Sequence, residues 1–299
     1  MQREPFQILE LIESEQGIAT VYDRFEKGGD SREKHFESVL NKELRRLVAS
    51  TEGLPIIISG MASSAIGWRE LPYAPLPQRF ADPLASKRVG IDRDVRLISG
   101  LRWKTHDVMR GEESQVVGLW ANPSLALPAR FRVVLPGTHC KHVLVEDESI
   151  TEFETFLTGD LFQALGKSSI LKHSVDMGIE VVADEAFEEG VLRSRDGAMD
   201  RELFGIRCSD LFGERNVAAN TAFLSGLLIG SEMRALASGA DPVVIAESPL
   251  GTLYASALRA LGGRDRLVFI SRAALDESVA RAHARLFGSS SQSCSQSGN

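Results

Sequence analysis

Three short segments place together groups able to handle a proton, a phosphate and a nucleoside. In Met109–Gly118 (MRGEESQVVG) two adjacent carboxylates, Glu112 and Glu113, follow Gly111 where a helix should begin. A carboxylate there can take a proton from a reacting hydroxyl. Acidic residues in a first helical turn also favour the helix dipole with no further role. In Leu135–His142 (LPGTHCKH) a Gly137-Thr138 turn joins two extended runs. Its backbone N–H groups and hydroxyl can cradle a phosphate; the plainer reading is a β-hairpin turn. The run Val243–Ala246, the turn Glu247-Ser248-Pro249-Leu250-Gly251 and the helix predicted after it can hold an adenosine, or can be an ordinary connection in an α/β sheet.

Other chemical patterns fail on spacing. Gly159–Ser168 (GDLFQALGKS) ends like a phosphate-binding P-loop, but six residues separate its first Gly from Gly-Lys-Ser where four are needed. The spacing reads instead as a turn of amphipathic helix. His139-Cys140-Lys141-His142 has no second His/Cys pair nearby, and neighbours on a strand point to opposite faces. No metal site is predicted. Neither a Gly-x-Ser-x-Gly elbow nor a Gly-x-Gly-x-x-Gly fingerprint follows an early strand.

The elements that must position these groups alternate. His35–Ser50 has apolar residues at helical spacing, and Leu54–Gly60 is a β-branched run ending in Gly. A loop of small residues and prolines follows, then strands at Val95–Gly100, Phe131–Leu135, His142–Val145 and Ile150–Phe156, with a near-strand at Ile206–Cys208. A long helix is predicted over Glu214–Leu236. Its Gly226 and Gly230, four apart, would let another element approach closely. Strands Val243–Ala246 and Leu267–Ile270 and helices Gly251–Leu261 and Ala274–Phe287 complete the chain. Strand and helix alternate on both sides of residue 130 or so, which predicts two α/β lobes.

Composition narrows the function classes. The chain has 299 residues, 43% hydrophobic and 25% charged, a balance that excludes disorder over most of its length. With 34 basic and 41 acidic residues the net charge is −7, which leaves no basic surplus for broad binding to nucleic acid or an anionic membrane. The three cysteines, Cys140, Cys208 and Cys294, are far apart and odd in number, which suits a reducing cytosol. The N-terminal residues lack the pattern of a signal peptide, and no stretch reaches the ~20 apolar residues of a membrane helix. A cytoplasmic protein is expected. Residues 289–299 (SSSQSCSQSGN) are polar and low in complexity, and read as a disordered tail.

The three segments, in this order, resemble the sugar-kinase branch of the actin-like ATPase superfamily. Longer phrases sharpen the likeness: Ser59-Gly60-Met61, Gly67-Trp68, Pro72-Tyr73, VMRGEESQ (108–115), LPGTHCKHV (135–143), FLTGDL (156–161) and FLSGLLIGSE (223–232). Together they resemble the 2-dehydro-3-deoxygalactonokinase family from about residue 8 to residue 288. The resemblance implies a two-lobed actin-like α/β fold, with an N-terminal lobe over 1–125 on the sugar-acid side and a C-terminal lobe over 126–288 on the phosphate and adenosine side. It implies transfer of a phosphoryl group from ATP, with Mg²⁺, to the 6-hydroxyl of 2-dehydro-3-deoxy-D-galactonate in galactonate breakdown.

On that resemblance Glu112 or Glu113 is the general base, with Glu112 preferred because it directly follows the Gly. Gly137 and Thr138 hold the transferring phosphate, with His139 or Lys141 adding charge or hydrogen bonds, and Ser248 and Gly251 lie at the adenosine turn. Ser63, Ser64, Gly67, Trp68 and Arg110 are candidates for the sugar acid, Arg110 for its carboxylate. Two features depart from the pattern. The superfamily's first strand and Asp-x-Gly-Thr/Ser loop have no counterpart, and the second strand's equivalent falls at Ile8–Ile12, so an N-terminal lobe incomplete at its start is expected. A late start, a fragment or a non-catalytic sugar-acid or nucleotide-binding relative are the readings this leaves. The second departure is Glu247, where the adenosine turn normally opens with Gly. A kinase for another keto-deoxy acid is a further reading. No nucleic-acid or membrane partner is expected, and the sequence is silent on oligomeric state.

Overall fold

A computed structural model of the chain describes residues 6–28, 31–48 and 50–293. Helices α1 (Ile18–Glu26) and α2 (Arg32–Leu44) precede six short strands and one longer loop region: β1 (Ile56–Ile58), β2 (Ala74–Pro75), β3 (Gln78–Arg79), β4 (Ser86–Val89), β5 (Val95–Ile98) and β6 (Leu101–Trp103). Then come β7 (Asp107–Met109), α3 (Glu112–Trp120), β8 (Arg130–Leu135), β9 (Cys140–Glu146), β10 (Ser149–Phe156), α4 (Thr158–Ser168), α5 (Glu185–Arg193) and α6 (Met199–Leu211). The chain continues through α7 (Val217–Ala237), β11 (Val243–Ala246), α8 (Pro249–Ala260), β12 (Leu267–Ile270) and α9 (Arg272–Ser293). It is a mixed α/β protein.

Two compact units divide the chain. Unit 1 takes in residues up to Ala126, Glu148–Thr151 and the chain from Ala273; unit 2 is Leu127–Asp147 and Glu152–Arg272. Helix α9 thus counts almost wholly with unit 1.

Unit 1 holds two three-stranded mixed sheets. In one, β1 runs parallel to β5 (Ile56↔Val95) and β4 antiparallel to it. In the other, β6 lies between β2, parallel, and β7, antiparallel. Val95 and Leu97 of β5 pack with Val21, Phe36, Trp68 and Leu71 as one apolar cluster. Helix α3 lies so close to α9 that a Cβ on Gly118 would overlap the Ser278 backbone.

Unit 2 is organised on β8. It pairs antiparallel with β9 (Val134↔His142, Leu135↔Lys141) and parallel with β11, which pairs parallel with β12. The predicted hairpin around Gly137-Thr138 is therefore present. Helix α7 is buried on nearly every face, as its apolar circumference requires. Its Gly226 does admit a neighbour: a Cβ there would overlap the Phe187 carbonyl of α5. Gly226→Ala is expected to push these helices apart and lower stability by roughly 1–3 kcal/mol, read from urea unfolding midpoints. An unchanged midpoint would show that the helices can separate freely.

Two local expectations are corrected. Ile206–Cys208 is not extended but lies inside α6, where Ile206 and Ser209, three apart, form the buried helical face. Residues 8–12 form no strand; Leu9 and Leu11 are exposed and pair with no sheet. The helix α9 continues through Ser293, so the polar segment from 289 begins as helix. Cys294 lies outside the described residues.

Candidate active site

In unit 1 the acid pair opens α3 as predicted. Gly111 caps the helix with φ 114°, a conformation that L side chains rarely adopt. A Cβ at this position would also press on Gly60 Cα at 3.2 Å, so the Ser59-Gly60 turn lies directly beside the acids. The two carboxylates differ in environment. Glu112 is half-buried and accepts the Arg110 backbone N–H at 2.9 Å. Glu113 is fully buried and accepts the Gly111 N–H at 2.7 Å and the Ser114 hydroxyl at 3.3 Å. Burial pushes the Glu113 carboxyl up to about 8, with the Glu112 charge adding to the rise. At neutral pH Glu113 holds its proton, and its side chain is closed off from solvent, whereas Glu112 is partly exposed.

The same shift carries a stability prediction. The folded-state value of about 8 lies above the ordinary 4.5, so the stabilisation is complete below about pH 4.5 and is lost as pH rises towards 8. Over that window the slope approaches ~1.4 kcal/mol per pH unit at most. Glu113→Gln removes this dependence. Urea unfolding at pH 5, 6.5 and 8 should show the variant gaining on the wild type as pH rises; parallel curves would contradict the shift.

The candidates for the sugar acid are placed unevenly. Trp68 is 2% exposed and packs near Phe36 in the core. Ser63 is fully buried and donates to the Ile98 carbonyl at 2.6 Å. Ser64 is nearly buried and donates to the Met61 carbonyl at 2.7 Å. Gly67 lies against the Met61 and Ala62 carbonyls, where any Cβ would overlap them. Arg110 is half-buried and holds this loop together. Its guanidinium donates to Ser63 Oγ at 2.6 Å, to the Ser63 carbonyl, to the Leu71 carbonyl at 3.2 Å and to the Tyr73 hydroxyl at 3.4 Å. It also stacks 4.1 Å over the Tyr73 ring. Four of its five N–H bonds are thereby used. Loop and acid pair are one connected construction, with Arg110 as the link.

In unit 2 the hairpin turn presents Thr138 and His139 to solvent, with Gly137 half-buried. The start of α4 braces it: Asp160 N–H donates to the Thr138 carbonyl at 3.1 Å, and a Cβ on Gly159 would overlap the Gly137 carbonyl. Lys141 is buried, and its ammonium donates back to the His139 carbonyl at 3.2 Å. Beside the hairpin is a cavity of about 250 Å³. Its walls are mainly apolar (Phe162, Val181, Leu228, Leu253), with Gly137, Thr158 and Tyr254 among its polar lining. That composition suits a flat base with a phosphate-bearing tail. A larger cavity in unit 1, about 660 Å³, is lined by Asn41, Arg45 and Arg93 among others and includes none of the candidate groups.

The late turn reaches the smaller cavity through Pro249 and Leu250. Ser248 and Gly251 stand behind them. Ser248 Oγ caps α8 by accepting the Gly251 N–H at 2.9 Å, and a Cβ on Gly251 would overlap the Ala246 carbonyl. Their residue types thus answer to the junction of strand and helix. The Glu247 side chain is exposed.

The sequence reasoning gave no role to one set of residues here. Glu232, His142, Thr158, Tyr254 and Cys140 form a buried polar cluster under the cavity. The phrase around Glu232 carried its only sequence signal. Among the described residues, no group of three or more His, Cys, Asp or Glu side chains converges as a metal site, and no helix is long and apolar enough to cross a membrane.

Comparison with known proteins identifies the family. The family model described as 2-keto-3-deoxy-galactonokinase matches residues 4–279. A Rhizobium meliloti (strain 1021) protein named "Probable 2-dehydro-3-deoxygalactonokinase DgoK1" is 35% identical over 246 residues, covering 78% of this chain and 79% of its own. The 2-dehydro-3-deoxygalactonokinase of Escherichia coli (strain K12) is 31% identical over 219 residues, covering 71% and 72%. The crystal structure of "a putative 2-dehydro-3-deoxygalactonokinase protein" from Sinorhizobium meliloti superposes with a TM-score of 0.80 at 32% identity, covering 94% of this chain and 91% of that one.

Proposed function

The chain belongs to the 2-keto-3-deoxy-galactonokinase family, and from that premise we propose how its residues divide the work of a carbohydrate kinase. The protein phosphorylates 2-dehydro-3-deoxygalactonate with ATP. The match over residues 4–279 carries this reading. The acceptor is taken as the 6-hydroxyl, and the two units as the two lobes of an actin-like kinase; a mixed sheet in each unit supports the latter.

Glu112 takes the proton of the acceptor hydroxyl. The acceptor oxygen bonds to the γ-phosphorus as the bond from that phosphorus to the β,γ-bridging oxygen breaks, and ADP leaves. The protein contributes alignment and charge stabilisation in such a transfer. Gly137, Thr138 and the first turn of α4 receive the phosphate, since helix N-termini and exposed turn amides favour anions. His139 and Lys141 flank it. The apolar cavity takes the adenosine, with Pro249 and Leu250 at its rim and Ser248 and Gly251 shaping the turn behind them. The loop of Ser63, Ser64 and Gly67 borders the sugar acid. Arg110 fixes that loop and keeps one N–H for the substrate carboxylate. Trp68 supports the loop from the core.

Among the described residues no group of side chains converges to hold a cation unaided, and no step here passes through one. A Mg²⁺ arriving with ATP would offset phosphate charge, as such ions bind chiefly through substrate phosphates, water and one or two carboxylates.

ADP release, followed with ATP and a panel of keto-deoxy sugar acids, tests the assignment. The account predicts the highest kcat/KM with 2-dehydro-3-deoxygalactonate. A higher value with its C4 epimer, or no ADP release with any member, would overturn it.

A further inference from the structure

The floor of the unit 2 cavity rests on a carboxylate that the transfer chemistry leaves unused. Glu232, on α7, is buried, and three donors converge on it. The His142 ring donates from Nε2 to Oε1 at 2.8 Å, and both side chains are only 1% exposed. The Tyr254 hydroxyl donates to Oε2 at 2.8 Å, and the Thr158 hydroxyl donates to the same oxygen. The hydroxyls and the ring N–H carry the hydrogens, and the carboxylate oxygens supply the lone pairs.

The chain of bonds continues to the hairpin. The Tyr254 oxygen lies 2.8 Å from the Cys140 sulfur, whose one hydrogen is shared between that oxygen and the Gly137 carbonyl at 3.2 Å. Burial, with the Glu232 charge next, pushes that thiol's pKa up, so it stays a donor. The Cys140 sulfur in turn accepts the Gly137 backbone N–H at 3.4 Å. Gly137, Thr158 and Tyr254 all line the cavity. One carboxylate therefore ties β9, α4, α8 and the hairpin turn to α7. Apolar packing could close such a floor without burying a charge, and a satisfied polar network fixes geometry where apolar contacts do not.

Building on the kinase reading, we infer that Glu232 is a positioning residue for the nucleotide: it sets the hairpin and the cavity floor to the spacing that ATP requires. Glu232→Gln keeps the volume but leaves a single accepting oxygen. Tyr254→Phe removes one of the three donors to Glu232 and with it the link towards Cys140 and Gly137. Both are tested in the full-length protein by the Kd for ATP from calorimetry, the KM for ATP and for the sugar acid, and the melting temperature.

The expected result is a rise of roughly tenfold in Kd and KM for ATP in Glu232→Gln and about threefold in Tyr254→Phe. The KM for the sugar acid should stay at the wild-type value. Variants that melt lower yet keep wild-type Kd and KM for ATP would reduce Glu232 to a fold-holding group and overturn the inference. Should Glu232→Gln fail to fold, Tyr254→Phe decides on the same criteria. A wild type that binds ATP without turnover would refute the kinase reading, while a raised Kd in the variants would still uphold the positioning role. A wild type that binds no ATP overturns both.

Discussion

Glu112→Gln is expected to lower kcat by roughly 10²–10⁴-fold while leaving the KM for ATP and for the sugar acid near their wild-type values. The two carboxylates of α3 adjoin each other in sequence but not in chemistry. Glu113 is fully buried, and loss of hydration keeps its proton on up to about pH 8. Glu112 is half-buried and accepts the Arg110 backbone N–H on the near side. A base must be within reach of the proton it takes, and of the two carboxylates only Glu112 is open to solvent. The amide of Gln keeps the size and the contact with Arg110 but cannot take a proton. Binding should persist because the variant leaves the loop braced by Arg110 intact. Glu113→Gln serves as the control, since it imitates the protonated state and should cost far less in kcat at pH 7. Full activity in Glu112→Gln would place the base elsewhere.

Gly159→Ala should cost about 100-fold in kcat/KM for ATP. The new methyl would overlap the Gly137 carbonyl and come within 2.8 Å of Thr138 Cα. Both neighbours are backbone, so neither can rotate away. The hairpin must move relative to α4 by an amount on the order of 1 Å, and misplacement of that size is worth about 10² in rate when positioning is most of the catalysis. The position is helical, so Ala itself is well tolerated by α4. Steady-state kinetics with ATP varied would show the loss, and circular dichroism would show α4 retained. Unchanged kinetics would mean that the hairpin does not hold the phosphate.

How much of this was legible in the sequence depended on the range of the contacts. The acid-bearing helix start, the Gly-Thr hairpin and the late strand–turn–helix are local patterns set by neighbouring residues, and each appears where its pattern lies. The helix α7 was equally plain, because its glycines can be read as a close-packing face. The short strands from Ala74 to Val89 were not legible. They span two to four residues and are largely exposed, so they carry little hydrophobic alternation. Ile206 looked extended because the alternation Ile206-Arg207-Cys208 is too short to distinguish helix from strand. The small-residue loop read as open to a ligand, whereas Ser63 and Trp68 point inward; their burial depends on Phe36 and Ile98, about 30 residues away. The Glu232 cluster joins residues 22 to 114 positions apart, and the phrase around Glu232 was its one local trace.

The most direct test of the central claim is the product itself. Incubating the protein with ATP and 2-dehydro-3-deoxygalactonate labelled with ¹³C at C6, and following ³¹P–¹³C coupling by NMR, reports which oxygen receives the phosphoryl group. The account predicts one phosphomonoester, coupled to C6, formed in equal amount with ADP. Phosphate coupled to no sugar carbon, or ATP left intact with both ligands bound, would contradict it.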